Sequence, residues 1–287
     1  MARRKIKQES GSPTFAGPGG VTIQELPPAF EFHKAIQVWV GPPKVGKTST
    51  FNSLREVAKE YGLKEVNPFL MLFEPGSSGN NTYCTSEACP CKKDNDCPDC
   101  HGLGTRRLIL SSTEQIDEWF DWAAKSPFNP IGIDTGDAMF QVLVDDVCVK
   151  LGITAPHQSD HGVAWTDVAS LMREKISILT ATGKGVVFLM HVYYQERRMK
   201  GGATVQAATF NVPGKSRQYI NGLANQILFF EVMPGFEDHD KYVITARGRA
   251  GVEAGDQWGI FPEELDRGKS PKEGAKAILS VFYDFKE

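Results

Sequence analysis

Residues 35–48 read Ala35-Ile36-Gln37-Val38-Trp39-Val40-Gly41-Pro42-Pro43-Lys44-Val45-Gly46-Lys47-Thr48. An apolar run of strand character meets a complete G-x-x-x-x-G-K-[ST] string, and a segment of helical periodicity follows. That context predicts a loop whose backbone N–H groups surround phosphate oxygens at the head of a helix. Gly41, Pro42, Pro43, Lys44, Val45, Gly46, Lys47, Thr48 and Ser49 are therefore the candidate nucleotide-binding residues. Lys47 is expected to reach the β- and γ-phosphates, and the Thr48 hydroxyl to ligate Mg²⁺. Gly41 and Gly46 allow a close backbone approach that a Cβ would hinder.

Outward from this loop, strands and helices alternate. A helix over residues 47–61 places Phe51, Leu54, Val57, Ala58 and Tyr61 on one face, and Gly62 ends it. Short continuous apolar runs at 69–73, 107–110, 130–134 and 186–190 read as strands buried on both faces. Ser112-Thr113-Glu114-Gln115 is a capping-box pattern opening a helix that buries Ile116, Trp119, Phe120 and Ala123. A second long helix is expected over 165–182, and further strands over 226–232, 242–246 and 278–285. The pattern implies an α/β fold with a mostly parallel central sheet flanked by helices. Residues 1–32, rich in Gly, Pro, Ser and charge, read as a flexible arm before a domain spanning 33–287.

Composition narrows the partners. Over 287 residues, 41% hydrophobic and 23% charged is ordinary for a soluble globular chain, and the net charge of −3 gives no global attraction to nucleic acid. No apolar run approaches the ~20 residues that span a bilayer, so no membrane partner is expected. Arg3, Arg4, Lys5 and Lys7 are not followed by the apolar stretch of a signal peptide, which predicts a cytoplasmic protein.

Hydrolysis of a nucleoside triphosphate needs a carboxylate to hold Mg²⁺ and a group to activate water. Asp134 ends its strand and has the character of a Walker B residue. Glu74 and His191 end two other strands, the first suited to polarising water and the second to contacting a γ-phosphate. No N-K-x-D guanine-reading string occurs, which favours ATP over GTP.

The order of these parts resembles the RecA-like P-loop ATPases, most closely the phage Sak group of single-strand annealing ATPases. Walker A comes first, then Glu74, Asp134, His191, a Gly-rich basic segment at 196–215, and Arg247-Gly248-Arg249. The resemblance covers about residues 33–265. It implies that Glu74 is the catalytic glutamate and that His191 couples the γ-phosphate to a DNA-facing loop. It also implies that Arg247 and Arg249 reach the ATP of a neighbouring subunit, within a ring or filament. The two DNA-facing loops of the family would map to 150–165 and 196–215. In the second, Arg197, Arg198, Lys200 and Lys215 would neutralise phosphates, and Phe210 would stack on or wedge between bases.

Five of the six cysteines crowd into Cys84-x4-Cys89-x-Cys91-x5-Cys97-x2-Cys100. In a cytosolic chain such spacing favours Zn²⁺ over disulfides. Cys97 and Cys100 form one knuckle, and two of Cys84, Cys89 and Cys91 complete four ligands in a small structural insertion over 80–105. Cys148, alone in an apolar stretch, reads as a small buried hydrophobe.

Together these features predict an ATP-, Mg²⁺- and Zn²⁺-binding ATPase that self-associates and binds single-stranded DNA in phage-type recombination or annealing. A single-strand-binding protein is a further candidate partner. The cytoplasm is the expected compartment, that of the bacterial host if the chain is phage-encoded. The alternative is a P-loop motor or switch acting on protein or packaged DNA without annealing.

Overall fold

The computed structural model describes residues 14–16, 22–24, 30–74, 110–198, 202, 204–234, 240–248 and 251–285. Strands β1 (Thr14–Ala16) and β2 (Thr22–Gln24) form a separate antiparallel pair. All other strands among the described residues belong to one nine-stranded sheet. Its centre is parallel, in the order β8 (Gln226–Met233), β3 (Ile36–Gly41), β6 (Val186–Arg198), β5 (Ile131–Asp134), β4 (Phe69–Leu72). On the β8 side the sheet continues antiparallel through β9 (Lys241–Thr245) to β11 (Glu264–Asp266), while β10 (Gly255–Asp256) pairs with the start of β8.

Alternation along β3 explains the layering. Val38 and Val40 join a core covered by α2 (Thr113–Lys125), α3 (Gly136–Leu151), α4 (Val163–Thr180) and α5 (Gly214–Leu223). Trp39 points the other way, into a core covered by α1 (Lys47–Glu60) and α6 (Pro271–Phe282). Successive side chains of a strand face opposite sides, so a strand with helices on both faces must be apolar throughout. The expected runs at 69–73, 130–134 and 186–190 owe their character to this. Register then aligns the functional ends: Gly41 lies beside His191, and Leu72, Asp134 and Leu189 lie level across three strands.

Three expectations change. The segment 196–215 is not an unstructured loop: β6 runs on to Arg198 and pairs antiparallel with β7 (Thr204–Phe210), and α5 starts at Gly214. The Thr204–Phe210 stretch alternates polar and apolar residues over Thr204–Ala207 and again over Ala208–Phe210, and so supports a hairpin. Residues 278–285 do not form a strand, because Ser270-Pro271-Lys272-Glu273 starts helix α6. Ser270 Oγ accepts the Glu273 N–H, Glu273 returns to the Ser270 N–H, and Pro271 occupies the first turn. Helix α3 was not anticipated. It consumes the start of the 150–165 segment, the rest of which makes two short 3₁₀ turns before α4.

The strand expected at 107–110 and the zinc insertion at 80–105 lie outside the described residues, apart from Leu110. The Leu110 N–H donates to Leu72 O at 2.9 Å. The helix after Ser112 forms as expected. Ser112 Oγ caps Gln115 N, while the Gln115 side chain returns one residue further, to Ser111 N.

Candidate functional site

Strand β3 delivers the chain to a turn in which Lys44 (φ 64°) and Gly46 (φ 97°) take left-handed angles, and α1 begins at Lys47. Gly41 is required by crowding: a Cβ there would sit 2.6 Å from Phe230 O of the neighbouring strand. Gly46 is required by its angle, and also because a Cβ would lie 2.7 Å from Arg267 Nη1. The loop frames a cavity of about 440 Å³ lined by Pro43, Lys44, Gly46, Lys47, Thr48, Ser49, Glu74, Asp134, Thr135 and His191. Thus the ends of three parallel strands, and β6 where it passes His191 on its way to Arg198 rather than ending there, gather residues far apart in sequence, as carboxyl-edge sites of such sheets do.

Lys47 is buried, and its Nζ donates to Gly41 O (2.8 Å) and Pro42 O (3.0 Å). Burial pulls its pKa down to about 8, against the raising influence of Asp134, Asp137 and Glu74. Thr48 Oγ1 donates to Asp134 Oδ2 at 2.9 Å, so the hydroxyl and the Walker B carboxylate converge on one point. This is the oxygen pair that would hold Mg²⁺, a hard cation that keeps several waters and takes few protein ligands.

The water-activating side is built from Glu74, Thr135, Asp137 and His191. Thr135 starts α3 by accepting the Ala138 N–H, and its hydroxyl proton goes to Glu74 Oε1 at 2.8 Å. Asp137 grips the end of the His191 segment twice. Its Oδ1 accepts the His191 backbone N–H at 3.1 Å and its Oδ2 accepts Nδ1–H at 2.8 Å. That hydrogen bond raises the His191 pKa against the lowering effect of burial, and Asp137 and Glu74 charges add to it. Burial would raise the Asp137 carboxyl, but the His191 hydrogen bonds and charge outweigh it and hold it below its ordinary value. Glu74 Oε1 is 3.8 Å from His191 Nδ1. With Nδ1 committed to Asp137, only Nε2 of the ring is left for a ligand.

A scan of protein families matches residues 33–258 to the AAA domain model AAA_24. The chain belongs to that family. It therefore carries an AAA-type P-loop ATPase domain, in keeping with ATP and Mg²⁺ as its ligands. No curated protein matches the chain. Among solved structures it is similar to a KaiC-like protein from the hyperthermophilic archaeon Pyrococcus horikoshii, at 12% identity and a TM-score of 0.42, over 84% of this chain and 88% of that one.

Within this AAA_24 domain Pro43, Lys44, Gly46, Lys47, Thr48 and Ser49 of the nucleotide candidates meet Glu74, Asp134 and His191 at the cavity, while Gly41, Pro42 and Val45 support the loop without lining it. Among the described residues the remaining candidates do not meet there. Phe210 is 1% exposed in the core between the sheet and α2–α5, so its ring is not available to bases: β7 turns it inward opposite Val192. Arg198 and Lys215 are exposed, and Lys215 Nζ approaches Thr166 Oγ1 at 3.5 Å. Arg197 lies in β6, while Lys200, Arg249 and the five clustered cysteines fall outside the described residues. Arg247 is exposed just past β9, which runs antiparallel to β8, and it does not line its own cavity. Cys148 is buried on α3, as a small hydrophobe should be.

Three residues of the site escaped sequence reasoning: Thr135, Asp137 and Arg267. A Thr N-cap with Asp in the first turn marks a helix start. Those two letters signalled both α3 and its contacts with Glu74 and His191.

Proposed function

We propose that this AAA_24 ATPase binds single-stranded DNA and acts in phage-type DNA recombination or strand annealing, with ATP hydrolysis at subunit interfaces. One observation carries the reading. Strand β6 runs unbroken from His191, at the cavity, into a hairpin that exposes Tyr193 (48%) and Tyr194 (59%) and ends at exposed Arg198. Exposed aromatics beside cations are the usual means of holding single-stranded bases and phosphates.

In this mechanism Lys47 turns from its carbonyl partners to the β- and γ-phosphates. Thr48 and Asp134 would hold Mg²⁺, whose charge would offset that developing on the phosphoryl oxygens. Glu74, oriented by Thr135, takes a proton from the attacking water as the bond between γ-phosphorus and the bridging oxygen breaks. His191 offers Nε2–H to the γ-phosphate and, through β6, ties nucleotide state to the hairpin. Arg247 and Arg249 complete the site of the neighbouring subunit in a ring or filament. Four of Cys84, Cys89, Cys91, Cys97 and Cys100 would hold a structural Zn²⁺. The compartment is the cytoplasm of a bacterial host, and a single-strand-binding protein is a further partner. Among the described residues, no helix is long and apolar enough to cross a membrane.

ATP turnover measured with and without single-stranded DNA, with oligomer size followed in parallel, tests this. DNA-stimulated turnover by an assembled species is the expected result. A strictly monomeric protein whose turnover ignores DNA would overturn it and favour the motor or switch reading. Freshly purified protein is expected to contain one zinc per chain, and a substoichiometric amount would remove the metal assignment.

A further inference from the structure

Buried charge is costly unless it is paired. Lys175, buried on α4, meets Asp117 at 2.5 Å and Glu174 at 3.0 Å. Lys47 faces Asp134, Asp137 and Glu74. Arg267 is different. It is 3% exposed, yet among the described residues no carboxylate acts on it; burial lowers its pKa, and of those residues the Tyr242 phenol alone opposes this. Nη1 donates to Thr50 Oγ1 at 3.3 Å and the guanidinium stacks 4.8 Å from the Tyr242 ring centre, while Nε has no hydrogen-bond partner among the described residues.

Its placement is uphill a second time. Arg267 follows β11, whose carboxyl end lies on the same edge of the sheet as the phosphate-binding loop. Its Nη1 sits behind Gly46 at the N-terminus of α1, where the helix dipole already presents positive charge. Gly274 of α6 packs against the stem, where a Cβ would lie 2.8 Å from Arg267 Cγ, so the side chain is held in place. A cation with no counter-ion among the described residues, clamped at the positive end of a helix, gains its compensation when an anion enters the loop on the other side.

We propose that Arg267 is a positioning residue for nucleotide affinity: an uncompensated buried charge behind the loop whose counter-ion is the polyphosphate of a bound nucleoside triphosphate. The proposal rests on the ATP-binding reading of the cavity. Arg267→Met keeps most of the side-chain volume and removes the charge, and Arg267→Lys keeps the charge. The test measures binding of a fluorescent ATP analogue with Mg²⁺ at two salt concentrations, alongside melting temperature without nucleotide. Arg267→Met is expected to weaken binding by roughly tenfold or more and to flatten its salt dependence, as loss of one favourable charge within several ångströms should. Its nucleotide-free melting temperature is expected to stay level or rise. Arg267→Lys is expected to stay within about threefold of wild type, since the charge is what matters. Wild-type affinity in Arg267→Met, equal losses in the Lys and Met proteins, or a Met protein that no longer folds would each make Arg267 a structural strut and overturn the proposal. Lys47→Ala separates the two readings. Loss of binding there but not in Arg267→Met sinks only this inference, whereas wild-type protein that binds no nucleotide sinks both.

Discussion

Asp137 commits both carboxylate oxygens to one residue, and this fixes where and when His191 can act. The His191 pKa is raised, so its share of the pair's stability is full below the ordinary histidine value of about 6.5 and is lost as pH rises through the raised folded value. The Asp137 pKa is lowered, so its share is full above the ordinary value of about 4 and is lost as pH falls through the folded value. Asp137→Asn should therefore destabilise most between about pH 4 and 6.5, by roughly 1.5–3 kcal/mol, the range for hydrogen bonds to charged groups. Urea unfolding across pH checks this; a pH-independent loss would mean that the pair does not carry the effect. Gly46→Ala meets both a left-handed backbone angle and the Arg267 guanidinium. It should cost roughly 1–2 kcal/mol from the backbone alone and remove measurable nucleotide binding, as titration calorimetry would report. At this scale the loop, Glu74, Asp134 and His191 were legible because each ends an apolar run or belongs to a spaced string. Thr135 and Asp137 were not, because they act through a helix start that the eye reads as a turn. Arg267 belongs to no string, and only the folded sheet brings it behind Gly46.

At the scale of elements, the parallel strands announced themselves by continuous apolar runs, while the hairpin of β6 and β7 hid behind charge and glycine. Arg197, Arg198, Lys200, Gly201 and Gly202 look like a disordered loop until the Thr204–Phe210 alternation is given a partner strand. Phe210 shows the consequence. A ring expected to touch bases instead fills the core. Phe210→Ala should lower the unfolding free energy by about 3–5 kcal/mol, the range for deleting a buried aromatic, in chemical denaturation without DNA. A protein of unchanged stability that has lost only DNA affinity would refute the burial. The misread C-terminal strand has a similar origin: residues 278–282 are apolar enough for either period. The Ser270–Glu273 box settles it as a helix.

For the whole molecule, the sequence order of strand-end residues was a better guide than any single motif, because a parallel sheet brings all its carboxyl ends to one edge. What it left open is how far each site is complete within one chain. Arg247 lies away from its own cavity, so a trans role makes a quantitative demand. Lys47→Ala and Arg247→Ala proteins should each be nearly inactive, while an equal mixture should recover roughly a quarter of wild-type turnover by random pairing within a symmetric assembly. Turnover that stays at the level of the separate proteins after mixing and re-equilibration would remove Arg247 from the neighbour's site.

The continuity of β6 has a mechanical consequence. Seven residue steps separate His191 from Arg198, which at about 3.3 Å per step makes an arm of roughly 23 Å. It is pinned at its base by Asp137 and braced along its length by β7. A tilt of about 10° at the pivot would sweep the far end through roughly 4 Å over that arm. The displacement at the tip would thus exceed any at the base, and the hairpin would work as a pointer with the phosphate pocket at its hinge.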